Sequence, residues 1–177
     1  MNRRTTFIAI LMCIAVCGWA QMPTQPGAEV KKLQYFVGTW TTECTIAQGP
    51  WGAGGKYSAT GSTEWALGNY FLEGHREFQA PPEIGGGGKE ASFLGYDTQQ
   101  NVYTYDSFNS QGRRVSSKGT LIGDTWTWTS SVSYGGQDIQ QRMTMKILSP
   151  ASYSLKFEIS MDGGTWATFM EGKATKK

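Results

Sequence analysis

The feature that most constrains this chain is a two-residue alternation that restarts after every short turn. In "DTWTWTSSV", Trp126, Trp128, Ser130 and Val132 oppose Thr125, Thr127, Thr129 and Ser131. "DIQQRMTMKI" sets Ile139, Gln141, Met143, Met145 and Ile147 against Gln140, Arg142, Thr144 and Lys146. "SYSLKFEIS" sets Tyr153, Leu155, Phe157 and Ile159 against Ser154, Lys156 and Glu158. "TWTTECTI" behaves alike, with Trp40, Thr42, Cys44 and Ile46 on one face. Successive side chains of a strand point to opposite faces. One apolar and one polar face per strand therefore means one wet side, the pattern of an antiparallel sheet.

Turn signals separate these runs at short intervals: "QGPWGAGG", "LGN", "PPEIGGGG", "DTQQN", "NSQG", "IGD", "YGGQ", "SPAS" and "MDGG". They bound about ten strands and no long helix. Successive hairpins with one apolar face each roll up until their edges meet, because closure removes unpaired edge groups. The expected fold is all-β: an antiparallel up-and-down barrel. A two-sheet sandwich is the alternative, opposed by the lack of any long Greek-key crossover. Ahead of the first strand, Val30, Leu33 and Tyr35–Val37 fall at helical spacing and predict a short helical segment.

The N-terminus reads differently. Asn2-Arg3-Arg4 followed by "FIAILMCIAVCGWA" is a short cationic start, an apolar run and a small-residue end, the pattern of a secretory signal peptide. Cleavage after Ala20 is expected, and with it a secreted or periplasmic location. Residues 21–32 then form a polar leader and residues 33–177 a single barrel domain. Removing Arg3 and Arg4 from the 16 basic residues leaves 14, against 14 acidic ones. With no net charge and no basic run, the composition argues against nucleic acid as a partner, and no later segment is apolar and long enough for a membrane-spanning helix. Two of the three cysteines, Cys13 and Cys17, leave with the signal. Cys44 then has no intramolecular partner, so stability must come from a core rather than a disulfide.

Three glycine–tryptophan echoes mark hairpin ends: Gly38-Thr39-Trp40, Gly123-Asp124-Thr125-Trp126 and Gly164-Thr165-Trp166. Trp40 is expected as a bottom plug, where the N-terminal segment closes the barrel. "VGTW" resembles the G-x-W signature of lipocalins and the wider calycin group, so Gly38 and Trp40 are its structural signature here. The chain is more closely similar to the bacterial lipocalin-like domain-of-unknown-function family 1579, from about Leu33 to the C-terminus. The likeness runs through "LQYFVGTW", "GYD", "YTYDSFNSQG", "GDTWTWTS" and "DGGTWATFMEGKATK". It implies a calycin-like barrel and no settled activity. By fold the chain also resembles the ten-stranded haem-binding nitrobindin type, which relies on a histidine near the C-terminal end of the barrel. No histidine follows His75, so no haem, and no other cofactor, is expected. Lipocalins usually set an arginine from the C-terminal region against the signature tryptophan, where this tail offers Lys173, Lys176 and Lys177.

Candidate site residues follow from strand phase. "FLEGHREF" places Glu73, His75 and Glu77 on one face, a spacing at which side chains can converge on a metal. The opposite face, Tyr70, Leu72, Gly74, Arg76 and Phe78, is the more apolar. Phase therefore turns the His75 face to solvent, with no metal expected, and carries Arg76 into the lumen. An inward arginine requires a partner: Glu64, Asp106 or an acidic group on a ligand. Gly74 is expected to leave room beside it. With Arg76, the expected ligand-binding set is Tyr57, Trp65 and Asp106. Trp128, Met143, Met145 and Phe157 complete it, while Trp166 and Met170 also fall on candidate inner faces. Asp106 stays ambiguous, because "NVYTYDSFN" is apolar or aromatic on both faces. "QAPPEIGGGG" is expected as a portal loop at the open end. "GPWGAGGK" lacks the order of a phosphate loop, and Cys44 has no base at a recognisable spacing.

These residues support three functional readings. The first is a barrel that binds a small, mostly apolar, possibly acidic molecule. The second is an enzyme using Arg76, Asp106 and Tyr103 or Tyr105 for acid–base work. The third is a non-catalytic envelope scaffold. The lumen separates them: an open one fits the first, convergence of those ionisable groups the second, and a filled one the third.

Overall fold

The computed structural model describes residues 25–177 except Gly135, with nothing described for the Tyr134 side chain. The expected signal peptide and its cleavage site lie outside the described residues. Ten strands run in chain order: β1 (Gly38–Ile46), β2 (Gly55–Ala66), β3 (Phe71–Gln79), β4 (Gly88–Asp97) and β5 (Val102–Asn109), then β6 (Arg114–Ile122), β7 (Thr125–Tyr134), β8 (Gln137–Ser149), β9 (Ser152–Ser160) and β10 (Ala167–Lys176). Each pairs antiparallel with its chain neighbour, and β1 pairs with β10 to close the barrel. Every turn inferred from the sequence is a hairpin connection, so each strand meets its partner across the shortest loop. Among the described residues, no helix is long and apolar enough to cross a membrane.

One end of the barrel is plugged. A one-turn helix, α1 (Ala28–Lys32), runs into a 3-10 segment over Leu33–Phe36, so the second half of the polar leader is part of the closure. Val30, Leu33 and Phe36 are buried, and the Phe36 ring meets Trp126 at 5.2 Å between centroids. Hydrogen bonds fix the plug. The Trp40 indole donates to the Phe36 carbonyl at 2.9 Å, Trp65 to Gln34 at 2.7 Å, and the Tyr103 hydroxyl to Glu29 at 2.6 Å. Gly38 takes φ of 118°, which lets the chain swing from the plug into β1. The place of the lipocalin arginine is filled by Lys176. Its ammonium lies 5.0 Å from the Trp40 ring centroid and donates to the Tyr35 carbonyl at 3.2 Å.

The other end is open. It carries the long β1–β2, β3–β4 and β9–β10 connections, and the β3–β4 loop is the glycine-rich "PPEIGGGG" segment. Phase holds as read along β1, β7, β8 and β9. It fails once, at β10. A bulge between Thr168 and Met170 inserts an extra residue, Phe169. One added residue moves every earlier side chain to the opposite face. Trp166 is therefore outside rather than inside, with the Arg142 guanidinium 4.2 Å from its ring centroid.

Candidate functional site

The barrel encloses a lumen of about 470 Å³ that reaches from the Phe36 and Trp40 plug to Ile84 and Arg113 near the mouth. A groove of similar size on the outer wall is lined by wet-face residues such as Thr45, Lys146 and Glu171. The lumen is distinguished by an ion pair set into the inner face of its wall.

The cation of that pair is Arg76. Gly61 of β2, Arg76 of β3 and Glu90 of β4 are consecutive register partners and share the inner face. A β-carbon on Gly61 would stand 2.5 Å from the Arg76 β-carbon, so glycine there is what admits the arginine. Arg76 Nη2 donates to Glu90 Oε2 at 3.0 Å. Its Nε lies 2.9 Å from Glu90 Oε1 without being aimed at it, so that contact is electrostatic. Tyr105 donates its hydroxyl to the same Oε1 at 2.5 Å. Burial disfavours charge on Arg76, but the facing Tyr105, Tyr57 and Glu90 outweigh it and raise its pKa.

The two partners differ in what they have left. Glu90 keeps only 10% of its side-chain surface open, and both its oxygens are engaged. Arg76 is ringed by the barrel wall yet keeps 40% open, and as an inward-facing group it spends that surface on the lumen. A guanidinium has five N–H donors, of which Glu90 aligns one. The remainder has no hydrogen-bond partner among the described residues and presents a cationic edge to an otherwise largely aromatic and methionine-rich chamber.

Of the residues expected from the sequence, Arg76, Tyr57, Trp128, Met143, Met145 and Phe157 are brought together around the lumen. Two are not. Trp65 has the inner phase but lies below the floor, tied to Gln34 of the plug. Asp106 is on the outer face of β5, where it accepts from Ser116 at 2.5 Å and pairs with Arg114 at 3.4 Å. Neither Asp106 nor Glu64 is the Arg76 partner; Glu64 is exposed and registers with Glu73 outside. Gly74 makes room for the Ser92 hydroxyl, 2.8 Å from where its β-carbon would be, rather than for Arg76. His75 projects outward and meets Glu73 at 2.9 Å, while Glu77 pairs with Lys89.

Sequence reasoning missed Glu90. Its strand alternates Glu90, Ser92 and Leu94 inside against Ala91 and Phe93 outside, so hydropathy gives no phase. The usable signal was register: pairing Phe78 with Gly88 across the portal hairpin sets Glu90 opposite Arg76. The acid–base constellation does not assemble either. Tyr103 is engaged with Glu29 at the plugged end and Asp106 is outside, so of these groups Tyr105 alone joins the Arg76 pair, through its bond to Glu90. Burial, opposed by Arg76 and reinforced by Glu90, pushes the Tyr105 phenol up to about 12. Burial likewise pushes the Cys44 thiol up to about 11.

A closed ten-stranded antiparallel barrel, plugged at one end through a glycine–x–tryptophan start and open at the other, is a calycin-like barrel. Its sequence places it more narrowly. The chain belongs to the family described as "Protein of unknown function (DUF1579)", whose profile matches residues 25–176. Among solved structures it is similar to Rv2717c from M. tuberculosis, with a TM-score of 0.61 at 10% identity, covering 86% of this chain and 99% of that one. That likeness concerns the fold. A looser one, to EF1p2_mFAP2b bound to DFHBI, has a TM-score of 0.36 at 14% identity over 84% of this chain and 98% of that one, too distant to argue from. No curated protein matches the chain in sequence.

Proposed function

We propose that this protein is an exported binding barrel that holds a small, mostly apolar molecule in its lumen and anchors an acidic or carbonyl oxygen of that molecule on Arg76. The observation that carries the reading is the half-spent guanidinium: a cation set into the lumen wall and balanced by Glu90, with its other edge open to a cavity of about 470 Å³. Sites for small molecules are typically about 300–1,000 Å³, largely apolar, with few polar groups fixing orientation. Tyr57, Trp128, Met143 and Phe157 supply the apolar surface, and methionines adapt to irregular shapes. Export is supported by the cationic and apolar N-terminal run.

Binding is favoured over acid–base chemistry by the state of the ionisable groups on the barrel's inner face and in its core. At neutral pH the Tyr105 phenol and the Cys44 thiol hold their protons, and Glu90 is committed to Arg76 and Tyr105. The test is native mass spectrometry of protein freshly purified from its own host, with extraction of the bound fraction. A stoichiometric small molecule carrying a carboxylate or carbonyl is the expected result. A bare protein that also fails to take up any apolar acid on titration would overturn the proposal.

A further inference from the structure

The lumen wall has two unlike halves. From β2 round to β8 its inner face carries Tyr57, Arg76, Ser107, Ser117 and Gln141, set among apolar residues such as Phe78, Trp128 and Met143. Each of those five polar residues retains hydrogen-bonding capacity. The Tyr57, Ser107 and Ser117 hydroxyls have no hydrogen-bond partner among the described residues, and Gln141 uses only its Oε1, accepting from Ser130 at 3.1 Å. The other arc, β9, β10 and β1, presents Leu155, Phe157, Phe169, Met170 and Ile46, and its Tyr153 hydroxyl is turned to Thr42.

The polar atoms form a band rather than a point. Ser107 registers with Ser92, Tyr105 with Ser117, and Ser130 with Gln141, so donors recur on adjacent strands around that half of the wall. A single-headed acid such as an alkanoate satisfies Arg76 alone and lays methylene groups against the rest. Polar groups left facing hydrocarbon lose the water they held and gain nothing. A compound with oxygens spaced along one edge meets the whole band, and its bare edge meets the apolar arc.

On the reading of the lumen as a ligand site, we infer that its ligand class is a compound with several hydroxyl or carbonyl oxygens along one edge and a bare opposite edge, not a fatty acid. Arg76 takes the most electron-rich oxygen, and Ser107, Ser117 and Gln141 take the others. Discrimination follows because a site with fixed polar groups rejects an analogue that lacks their partners far more strongly than an apolar pocket rejects a change of size.

The test is calorimetric titration of the full chain with three probes: a polyhydroxylated flavone, the unsubstituted flavone and dodecanoate. The polyhydroxylated flavone is expected to bind at least about tenfold tighter than either of the others, as two or three neutral hydrogen bonds imply. The triple variant Ser107→Ala, Ser117→Ala, Gln141→Met should lose about tenfold for that probe, while dodecanoate, relieved of covering those polar groups, should bind at least as tightly as to wild type. Ser117→Ala alone, at a half-buried position, should show a smaller loss in the same direction and serves if the triple variant does not fold. Equal binding of the two flavones, or an equal loss for dodecanoate in the variant, would overturn the inference while leaving a lumen binder standing. No binding by any of the three would overturn the inference together with the reading beneath it.

Discussion

Arg76→Met is the perturbation that most exposes how the lumen is held together. It removes the guanidinium but leaves the Glu90 carboxylate, only 10% open, with the Tyr105 hydroxyl as its sole remaining donor among the described residues. Breaking a fully buried ion pair by removing one partner costs about 3–5 kcal/mol. Here 40% of the Arg76 side chain faces the lumen, so water can reach the stranded oxygens and the cost should be smaller. About 1–3 kcal/mol is the appropriate scale for an unsatisfied buried acceptor. For a chain of this length that lowers Tm by about 3–10 °C. The double variant Arg76→Met, Glu90→Gln removes both charges and keeps an acceptor for Tyr105, so it should recover most of the loss. A thermal and urea-denaturation cycle over wild type, both singles and the double measures the coupling directly. If Arg76→Met melts with wild type, or if the double variant is no more stable than the single, the ion pair does not have the role argued here.

Three further outcomes follow from other contacts. Gly61→Ala should destabilise the barrel by about 1–3 kcal/mol through overpacking and weaken capture of an acidic probe, since its new β-carbon meets the Arg76 β-carbon at 2.5 Å; unchanged melting and affinity would contradict this. Glu158 is the shared anion of an outer-wall cluster with Arg142 at 2.9 Å and Lys156 at 2.8 Å. Burial tends to raise its pKa, but the two cations outweigh burial and hold it below the ordinary 4.5. A depressed folded-state pKa contributes stability that is fully present above the unfolded value and is lost as pH falls through the folded one. Wild-type Tm should therefore decline below about pH 4.5 more steeply than that of Glu158→Gln, and parallel profiles would refute the assignment. Tyr103→Phe should loosen the plug by removing its bond to Glu29, read as faster hydrogen exchange over residues 28–36 with β7 and β8 unaffected.

Much of this molecule is legible from its residues, and the illegible parts share a cause. Strands β1, β7, β8 and β9 alternate cleanly, so their inner faces follow from hydropathy alone, and Leu72 and Phe78 carry that logic to Arg76. The Arg76 partner does not follow, because Glu90 sits on a strand whose two faces are equally apolar and only register with β3 identifies it. Asp106 went astray for the same reason on β5. Trp166 was lost to a single inserted residue, Phe169, which a period-two reading cannot register. Trp65 shows a third kind of gap: phase states which way a side chain points but not its height along the barrel. Its indole is spent on the plug, below the chamber.

The most direct test of the lumen as an Arg76-anchored binding site is a calorimetric titration of dodecanoate into wild type and into Arg76→Met, Glu90→Gln. The double variant keeps the cavity and the net charge of the wall while removing the cationic edge together with its Glu90 counter-charge. One-site binding by wild type and a loss of at least about tenfold in the folded double variant are expected, the scale of a charge-assisted hydrogen bond. Equal affinities in the two proteins, or no binding to either, would contradict the claim that the open edge of Arg76 is what the lumen offers a ligand.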